Sequence, residues 1–369
     1  MGEVTNYTKG FAFKSGDYRK SGVRVVRVSD LAARHIKKDN DNVHIEESRR
    51  EEFLKWKIRK NEIVITTVGS RPDLIESAVG RGIFVDRDEE GLLNQNMLKL
   101  ESENGNEPRF IFSQINTPRY TDYVAQIKRG NANQANITVK DLMAYQIAVS
   151  TLPEQRKIAD FLTAVDGRIG QLIQKRALLE DYKKGVMQQL FTQAIRFKDD
   201  HGNDFPDWEE KKLGEVLTIG SGRDYKHLGE GDIPVYGSGG LMTYVDSSLY
   251  EGESVGIGRK GTIDKPRFLE GAFWTVDTLF YTHSFEAALP RFIYGLFQRI
   301  NWRAYNEAGG VPSLSKSTIE KIPVLMPHSN EQTKIADFLS AIDRKIESVA
   351  AQITETQTFK RGLLQQMFV

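Results

Sequence analysis

Arginine, lysine, asparagine and glutamine side chains cluster in several glycine-containing loops of this 369-residue chain. Arginine presents paired donors that match the edge of guanine, and asparagine or glutamine presents a donor and an acceptor that match adenine. Glycine lets a backbone approach phosphate closely and leaves its N–H groups accessible as donors. These loops are therefore candidates for contacts with nucleic acid.

The candidate residues are found in both halves of the chain. In the first half they lie in VGSRPD, NQN and KRGNANQAN, and they are Ser70, Arg71, Asn94, Gln95, Asn96, Lys128, Arg129, Asn131, Asn133 and Gln134. In the second half they are Arg223, Lys226, His227, Ser238, Arg259, Lys260, Lys265 and Lys316. The alternative for each residue is a solvated loop charge, and some candidates would hold phosphate without reading sequence.

Motifs for catalysis are incomplete. Gly256, Gly258 and Gly261 match GxGxxG, but Pro266 and a β-type pattern follow where a dinucleotide-binding fold requires a helix. The chain has no cysteine, and its six histidines show no zinc-ligand spacing. The phosphate-loop pattern GxxxxGK[ST] and the NPPY-type motif of adenine methyltransferases are also missing from the sequence. We expect no catalytic residue, metal or cofactor in this chain.

The composition narrows the class of protein. With 51 basic and 50 acidic residues the net charge is +1, which argues against a general polyanion binder and leaves any nucleic-acid contact to local clusters. No apolar run reaches the roughly 18 residues of a membrane span, and the N-terminus lacks the pattern of a signal peptide. The lack of cysteine fits a reducing compartment. We expect a cytoplasmic protein without a membrane partner.

An internal repeat organises the chain. EQRKIADFLTAVD at 154–166 recurs as EQTKIADFLSAID at 331–343, an offset of 177 residues, and 16 of 38 aligned positions are identical through Phe191 and Phe368. Upstream, PRFIF at 108–112 is matched by PRFIY at 290–294. The repeat predicts two globular domains, at 1–150 and 192–328, each followed by a long helix, at 151–191 and 329–369.

Shorter signals refine this plan. ITVKDLMAYQIAV and LSKSTIEKIPVLM each predict a short helix that runs into a strand, and Thr138 with Asp141, like Ser317 with Glu320, has capping-box spacing. MGEV at the start of the chain echoes LGEV at 213–216. A counterpart of residues 192–212 is not seen before Met1, so the first unit is either naturally short or the chain lacks a leader.

The long helices carry a coiled-coil pattern. Apolar residues follow alternating steps of four and three. They are Ile158, Leu162, Val165, Ile169, Leu172 and Leu179 in the first helix and Ile335, Leu339, Ile342, Ile346, Val349 and Ile353 in the second. About 38 residues at ~1.5 Å each make a rod of ~57 Å. Two such rods are expected to pack on each other in an antiparallel arrangement.

This combination resembles the specificity subunits of Type I restriction-modification systems. The resemblance rests on a variable domain, a Gly/Asn-rich loop and EQxKIADFLxAxD at the head of a long helix, all present twice. It implies an α+β fold, with two α/β target recognition domains separated by two long helices that form an antiparallel coiled coil.

The resemblance also implies a function and partners. Each domain would read one half of a split, asymmetric site on double-stranded DNA, while the helices would set the spacer and dock two methyltransferase subunits. Those subunits would carry S-adenosylmethionine, and motor-nuclease subunits using ATP and Mg²⁺ would join for restriction. Two alternatives stay open: a coiled-coil scaffold that binds protein rather than DNA, and a nucleotide-dependent enzyme.

Overall fold

The two copies of the repeated motif begin two long helices, α4 (Leu152–Phe191) and α8 (Ser329–Met367). The computed structural model describes residues 1–32, 35–71, 78–88, 90–130 and 135–368. It divides into two units, Met1–Leu172 with Gln352–Val369, and Ile173–Ala351. We call these unit 1 and unit 2. Because the boundary cuts both long helices, each helix contributes to both units.

Within each unit, a part of α4 and a part of α8 run antiparallel. In unit 1, Lys360 pairs with Asp166 at 2.7 Å, and in unit 2, Lys183 pairs with Asp343 at 2.6 Å. Both pairs join the last Asp of the repeated motif to the Lys of the repeated tail, so the two units use the same antiparallel register. Of the twelve seam residues predicted from the sequence, eight are buried and four are half-buried.

Unit 1 is built mainly from short strands. Its strands are β1 (Thr5–Lys9), β2 (Val23–Val26), β3 (Val43–Ile45), β4 (Ile63–Thr66), β5 (Val68–Gly69), β6 (Gly82–Phe84), β7 (Leu92–Leu93), β8 (Met97–Ser102) and β9 (Ala135–Asn136). Its short helices are α1 (Pro108–Gln114), α2 (Pro118–Ile127) and α3 (Val139–Met143), and 3-10 helices span Ser15–Asp17, Val28–Asp30 and Glu47–Trp56. The strands form sheets in the orders β1-β8-β4-β6, β3-β2-β7 and β5-β9.

Unit 2 has a similar inventory. Its strands are β10 (Glu209–Lys212), β11 (Thr218–Ser221), β12 (Ile233–Gly237), β13 (Gly240–Val245), β14 (Tyr250–Glu251), β15 (Ser254–Gly258), β16 (Arg267–Leu269), β17 (Ala272–Thr275), β18 (Leu279–His283) and β19 (Pro323–Met326). Its short helices are α5 (Leu213–Val216), α6 (Pro290–Arg299) and α7 (Lys316–Glu320), with a 3-10 helix at Trp302–Tyr305. The sheet orders are β11-β18-β15-β16, β13-β12-β17-β14 and β10-β19.

The two globular parts share one topology. The sheet β1-β8-β4-β6 of unit 1 corresponds strand by strand to β11-β18-β15-β16 of unit 2. In the second sheet, β2 pairs antiparallel with β3 and parallel with β7, as β12 does with β13 and β17. The chain is thus two copies of one fold, as the repeat predicts, although the sequences of the globular parts differ widely.

A buried glutamine of the motif joins each long helix to its globular part by hydrogen bonds. Gln332 is 1% exposed; its Oε1 accepts from the N–H of Leu289, and its Nε2 donates to the carbonyls of Ala287 and Pro327. Gln155 is 2% exposed and makes the equivalent bonds to Glu107 and Ser150. Glu107 and Leu289 precede α1 and α6, so this bond satisfies an N–H at a helix start.

Replacing either glutamine with methionine keeps its volume but removes these bonds. We expect Gln155→Met and Gln332→Met each to cost on the order of 2–3 kcal/mol, because buried N–H and C=O groups would lose their partners. Urea unfolding would measure the loss. Gln174→Met, at an exposed position of α4, is the matched control and should leave the free energy of unfolding unchanged. Similar losses in all three variants would show that the bonds of Gln155 and Gln332 do not stabilise the fold.

Two local predictions are wrong. In unit 1, residues 146–149 do not form the predicted strand, whereas their counterparts form β19, which has β10 as its partner. The cap of α7 is Ser315, whose hydroxyl accepts from the N–H of Thr318, and not Ser317. The cap of α3 is Thr138, as predicted. Among the described residues, no helix combines the length and apolar character needed to cross a bilayer.

Candidate nucleic-acid interface

Three loops of unit 1 converge through backbone hydrogen bonds. The N–H of Thr67, after β4, donates to the carbonyl of Asn96 in the β7–β8 turn at 2.8 Å, and the N–H of Ile137 donates to the carbonyl of Thr67 at 3.0 Å. Val68 pairs with Asn136 in the β5–β9 ladder. The loop after β4, the β7–β8 turn and the loop before α3 therefore share one surface, which we call the three-loop surface.

Unit 2 forms its three-loop surface with the same bonds. The N–H of Arg259 donates to the carbonyl of Thr278 at 2.8 Å, the N–H of Leu314 donates to the carbonyl of Arg259 at 2.9 Å, and Lys260 bridges to Ser313. Ser313 and Leu314 lie 177 residues after Asn136 and Ile137, the offset of the motif repeat. The same framework thus holds different side chains in the two units.

Most predicted residues of unit 1 lie on or beside this surface. Ser70 is half-buried and Arg71 is exposed in the loop after β4, and Gln95 and Asn96 are exposed in the turn. Asn96 has φ +67°, a left-handed conformation that asparagine tolerates. Asn94 is only 7% exposed; its Oδ1 accepts from the N–H of Gln95, so the side chain closes the turn.

The basic pair before α3 is partly engaged. Lys128 is half-buried at the end of α2, and exposed Arg129 pairs with Asp141 at 3.0 Å. The backbone of Arg129 bonds to that of Asn136 in both directions at 2.8 Å, which ties the pair to the three-loop surface. The other predicted residues of this loop, Asn131, Asn133 and Gln134, lie outside the described residues.

An open cavity of about 710 Å³ lies beside the three-loop surface of unit 2. It is lined by the segment after β11, the β12–β13 hairpin and the β17–β18 turn, and the lining residues include the predicted Lys226 and Ser238. A side chain at Gly261 would meet the hydroxyl of Ser238 at 3.3 Å, so glycine lets the loop after β15 approach the hairpin. Asp224 and Asp277 also line the cavity, which therefore carries charges of both signs.

Four more predicted residues adjoin this cavity. Exposed Arg259 donates to the carbonyl of Asp277 at 3.5 Å and exposed Lys260 follows it. Arg223 is exposed, and its carbonyl accepts from the indole N–H of Trp274 at 2.8 Å. The ring of His227 lies 5.8 Å from that indole. The exposed side chains of Arg223, Arg259 and Lys260 therefore lie close to residues that line the cavity.

Lys265 and Lys316 do not line the cavity. Lys265 is exposed next to Asp264, whose pKa is held below its usual value by a hydrogen bond from Arg303. Lys316 begins α7 and lies close enough to His283 that burial, together with the Lys316 charge, lowers the pKa of that imidazole. Of the eight unit 2 candidates, all of which are among the described residues, Lys226 and Ser238 line the cavity itself.

Some residues of this surface were missed in the sequence. Arg267 donates from Nη2 to the carbonyl of Gly239 at 3.0 Å and so supports the hairpin tip. Leu241, Met242 and Tyr244 of β13 are each more than half exposed, and the first two line the cavity. The only sequence signal was the GSGGLMTY run, where apolar residues follow a glycine turn.

The two surfaces share the chemistry of a binding site. Between them they carry guanidinium, ammonium, amide and hydroxyl groups, and these groups suit phosphate oxygens and base edges. Among the described residues, no group of His, Asp and Glu is arranged to hold a metal ion. The arrangement is one in which loops on a rigid β framework present polar side chains.

Comparisons with known proteins agree with the fold. A family model described as Type I restriction modification DNA specificity domain matches residues 1–180 and 206–356. The putative type I restriction enzyme MjaX specificity subunit of Methanocaldococcus jannaschii is 23% identical over 348 residues, which cover 87% of this chain and 80% of the relative.

Solved structures show the same fold. The crystal structure of a Type I restriction-modification S subunit from M. genitalium matches with a TM-score of 0.66 at 17% identity, covering 100% of this chain and 94% of that one. A chain from a structure concerned with complex assembly and conformational transition of the type I R-M system gives a TM-score of 0.54 at 16% identity, covering 98% and 97%. Two family matches that together span most of the sequence, one on each repeat, place this chain among the specificity subunits of Type I restriction-modification systems.

Proposed function

We propose that each unit reads one half of a bipartite, asymmetric site on double-stranded DNA through its three-loop surface. The observation that carries this proposal is the shared backbone framework, which holds different side chains in the two units. Identical frameworks would dock on DNA in the same way, whereas different side chains would read different bases. Arg71, Gln95, Asn96 and Arg129 act in unit 1, and Arg223, Lys226, Arg259 and Lys260 act in unit 2.

The long helices set the spacer between the half-sites and dock two methyltransferase subunits. Support comes from α4 and α8, which are continuous over 40 and 39 residues and each contribute to both units. A helix fixes a distance far better than a flexible linker does. The chain itself is non-catalytic in this proposal: methyltransferase partners supply S-adenosylmethionine, and motor-nuclease partners use ATP and Mg²⁺.

Mapping methylated adenines across the genome of cells that carry this chain with its methyltransferase partner tests the proposal. The expected result is one split motif, with different bases in its two halves and a spacer of constant length. Methylation that does not depend on this chain, or a continuous motif, would overturn it. A scaffold without DNA readout predicts no dependence of the motif on the loops.

Removing the two cationic side chains of the loop after β15 should weaken one half-site. We expect Arg259→Ala with Lys260→Ala to lower DNA affinity about 10- to 100-fold and to reduce the salt slope by about one for each lost phosphate contact. Fluorescence anisotropy on duplexes altered in either half would measure this, with the methyltransferase partner present. For this variant, base changes in one of the two half-sites should lower the DNA affinity by a smaller factor than they do for the unaltered chain.

The matched control is Arg344→Ala with Lys345→Ala. This variant changes the net charge equally, at exposed positions of α8 in the same unit. Its affinity and salt slope should stay within twofold of the unaltered chain. An equal loss at both half-sites in the Arg259 and Lys260 variant would contradict the assignment of this loop to one half.

A further inference from the structure

The β12–β13 hairpin of unit 2 exposes apolar side chains next to its tip. Leu241 is 51% exposed and Met242 is 55% exposed, although consecutive side chains of a regular strand point to opposite faces. The register explains the difference, because Leu241 lies opposite Tyr236 whereas Thr243 already lies opposite Val235. Met242 is therefore the extra residue of a bulge, and both apolar side chains line the same cavity.

The tip of this hairpin is held in place by its neighbours. The guanidinium of Arg267 donates to the carbonyl of Gly239 at 3.0 Å. A side chain at Gly237 would come within 2.7 Å of the Met242 sulfur and 3.4 Å of Val276, so glycine leaves room for the thioether to lie across the backbone. The apolar groups are thus positioned in advance of binding, which lowers the entropy that a ligand contact costs.

A third apolar side chain is exposed in the loop before α7. Val311 is 66% exposed, and the next residue, Pro312, accepts at its carbonyl from the N–H of Gly261 at 2.9 Å. Gly261 is also the residue whose lack of a side chain lets the loop after β15 approach Ser238 of the hairpin. The loop that carries Val311 is therefore bonded to the loop that adjoins the hairpin.

Unit 1 presents polar side chains instead. The exposed side chains that the structure describes on its three-loop surface are those of Arg71, Gln95, Asn96, Arg129 and Asn136. The three residues of β3, the counterpart of β13, are buried or half-buried. The exposed apolar groups of unit 2 thus belong to the side chains that differ between the units and not to the framework that the units share.

The charges around the hairpin favour a base edge of DNA as the occupant. Exposed Arg259 and Lys260 supply positive charge, and their N–H groups bond to the carbonyl of Thr278, which lines the cavity. Asp224 and Asp277 line the cavity itself, where their carboxylates would repel a phosphate. A carboxylate can instead accept from the amino group of a base.

The major groove offers an edge with this combination of groups. It admits a two-stranded β-ribbon, and an adenine–thymine pair presents there the N6 amino group of adenine and the C5-methyl group of thymine. Aliphatic side chains contact that methyl group, which hydrogen-bonding side chains cannot read. Apolar and acceptor groups in one cavity therefore match an adenine–thymine pair.

We propose that unit 2 reads thymine in its half-site through the C5-methyl group, which packs against Leu241 and Met242. This inference rests on the proposed function, because it requires unit 2 to contact the major groove of DNA. It adds the base that the unit selects and the side chains that select it. Val311 extends the apolar surface onto the loop before α7.

Replacing single thymines with deoxyuridine removes only the methyl group. The duplex carries the split motif found by methylation mapping, and fluorescence anisotropy measures its affinity with the methyltransferase partner present. The half-site of unit 2 is the one that loses discrimination in the Arg259 and Lys260 variant. At a contacted position in it, uracil should lower the affinity about fourfold, as expected for one buried methyl group. 5-Bromodeoxyuridine, whose bromine is close to a methyl group in size, should restore the affinity.

Variants of the hairpin show whether it is the source of this discrimination. In Leu241→Ala with Met242→Ala, the affinities for the thymine and uracil duplexes should differ by less than about 1.5-fold, because the contact is already lost. Leu241→Met stays apolar and should keep the difference. Leu325→Ala is the matched control, at an exposed leucine of β19 in the same unit, and should keep it too. Each ratio is measured on one protein, so a general loss of folded protein cancels.

Two results would overturn the inference and leave the proposed function intact. One is a split motif in which uracil lowers the affinity at no thymine of the half-site of unit 2. The other is a discrimination that the double alanine variant retains, which would assign the methyl contact to other residues. A chain that selects no motif with its partner present would overturn the proposed function and this inference together.

Discussion

Replacing Glu331 with alanine is expected to lower the free energy of unfolding of unit 2 by about 3–5 kcal/mol, the usual cost of removing one partner of a buried ion pair. Glu331 is fully buried, and the side chain of its partner Arg196 is 21% exposed. Glu154→Ala, at the equivalent position of unit 1, should cost less than about 1 kcal/mol, because an exposed acidic residue in the first turn contributes mainly through the helix dipole. That contribution is common to both sites and cancels in the comparison.

Hydrogen exchange can measure the two effects separately. In the Glu331 variant the amides of β10 and β19 should exchange ~100-fold faster or more, since each 1.4 kcal/mol is a factor of about ten. The amides of β8 in unit 1 should be unchanged in the Glu331 variant and should exchange less than about fivefold faster in the Glu154 variant. The double variant Glu331→Leu with Arg196→Met should recover part of the lost stability, because apolar groups can often replace a buried ion pair. Equal costs for Glu154 and Glu331 would contradict the stabilising role of the contacts that Arg196 and Trp208 make with Glu331.

The same pair of residues shows where sequence reasoning reaches its limit. The 177-residue offset predicts the repeated helices and the seam, because strong periodicity over 38 positions is a local signal. The offset cannot show that Glu331 is buried and Glu154 is exposed. Glu331 is buried by contacts with Arg196 and Trp208, which lie 135 and 123 residues away along the chain. The strand predicted at residues 146–149 is another example. Its counterpart β19 is a strand because it pairs with β10, and such distant pairing is not visible in the local sequence.

The convergence of the loops was equally hidden. Thr67 of unit 1 and Arg259 of unit 2 occupy equivalent places, as do Asn96 and Thr278, although their side chains differ. The bonds from Thr67 to Asn96 and from Arg259 to Thr278 are made by backbone groups, so they do not depend on the side chains. Polar composition did identify the loops, since Arg, Asn and Gly are common where a chain must turn and bind. It could not distinguish Asn94, which closes the turn, from its exposed neighbours Gln95 and Asn96.

Shortening both long helices by one heptad should change the site that the chain selects. Counting back from Lys183 and forward from Asp343 in their antiparallel register, residues 175–181 of α4 lie opposite residues 345–351 of α8. Deleting both ranges keeps the seam in phase, because each contains seven residues. If the helices set the spacer, the loss of ~10 Å shortens it by about three base pairs at ~3.4 Å each.

The expected result is a methylation motif with both halves unchanged and a spacer about three base pairs shorter. Affinity for the original site should fall toward the non-specific level, a loss of about a thousandfold or more. Exchanging the two heptads for one another is the matched control, since it preserves length and seam phase and should leave the motif unaltered. Circular dichroism would establish that each variant folds. A folded deletion variant that keeps the original spacer, or that changes the half-site bases at constant spacing, would show that the helices do not measure the distance between the half-sites.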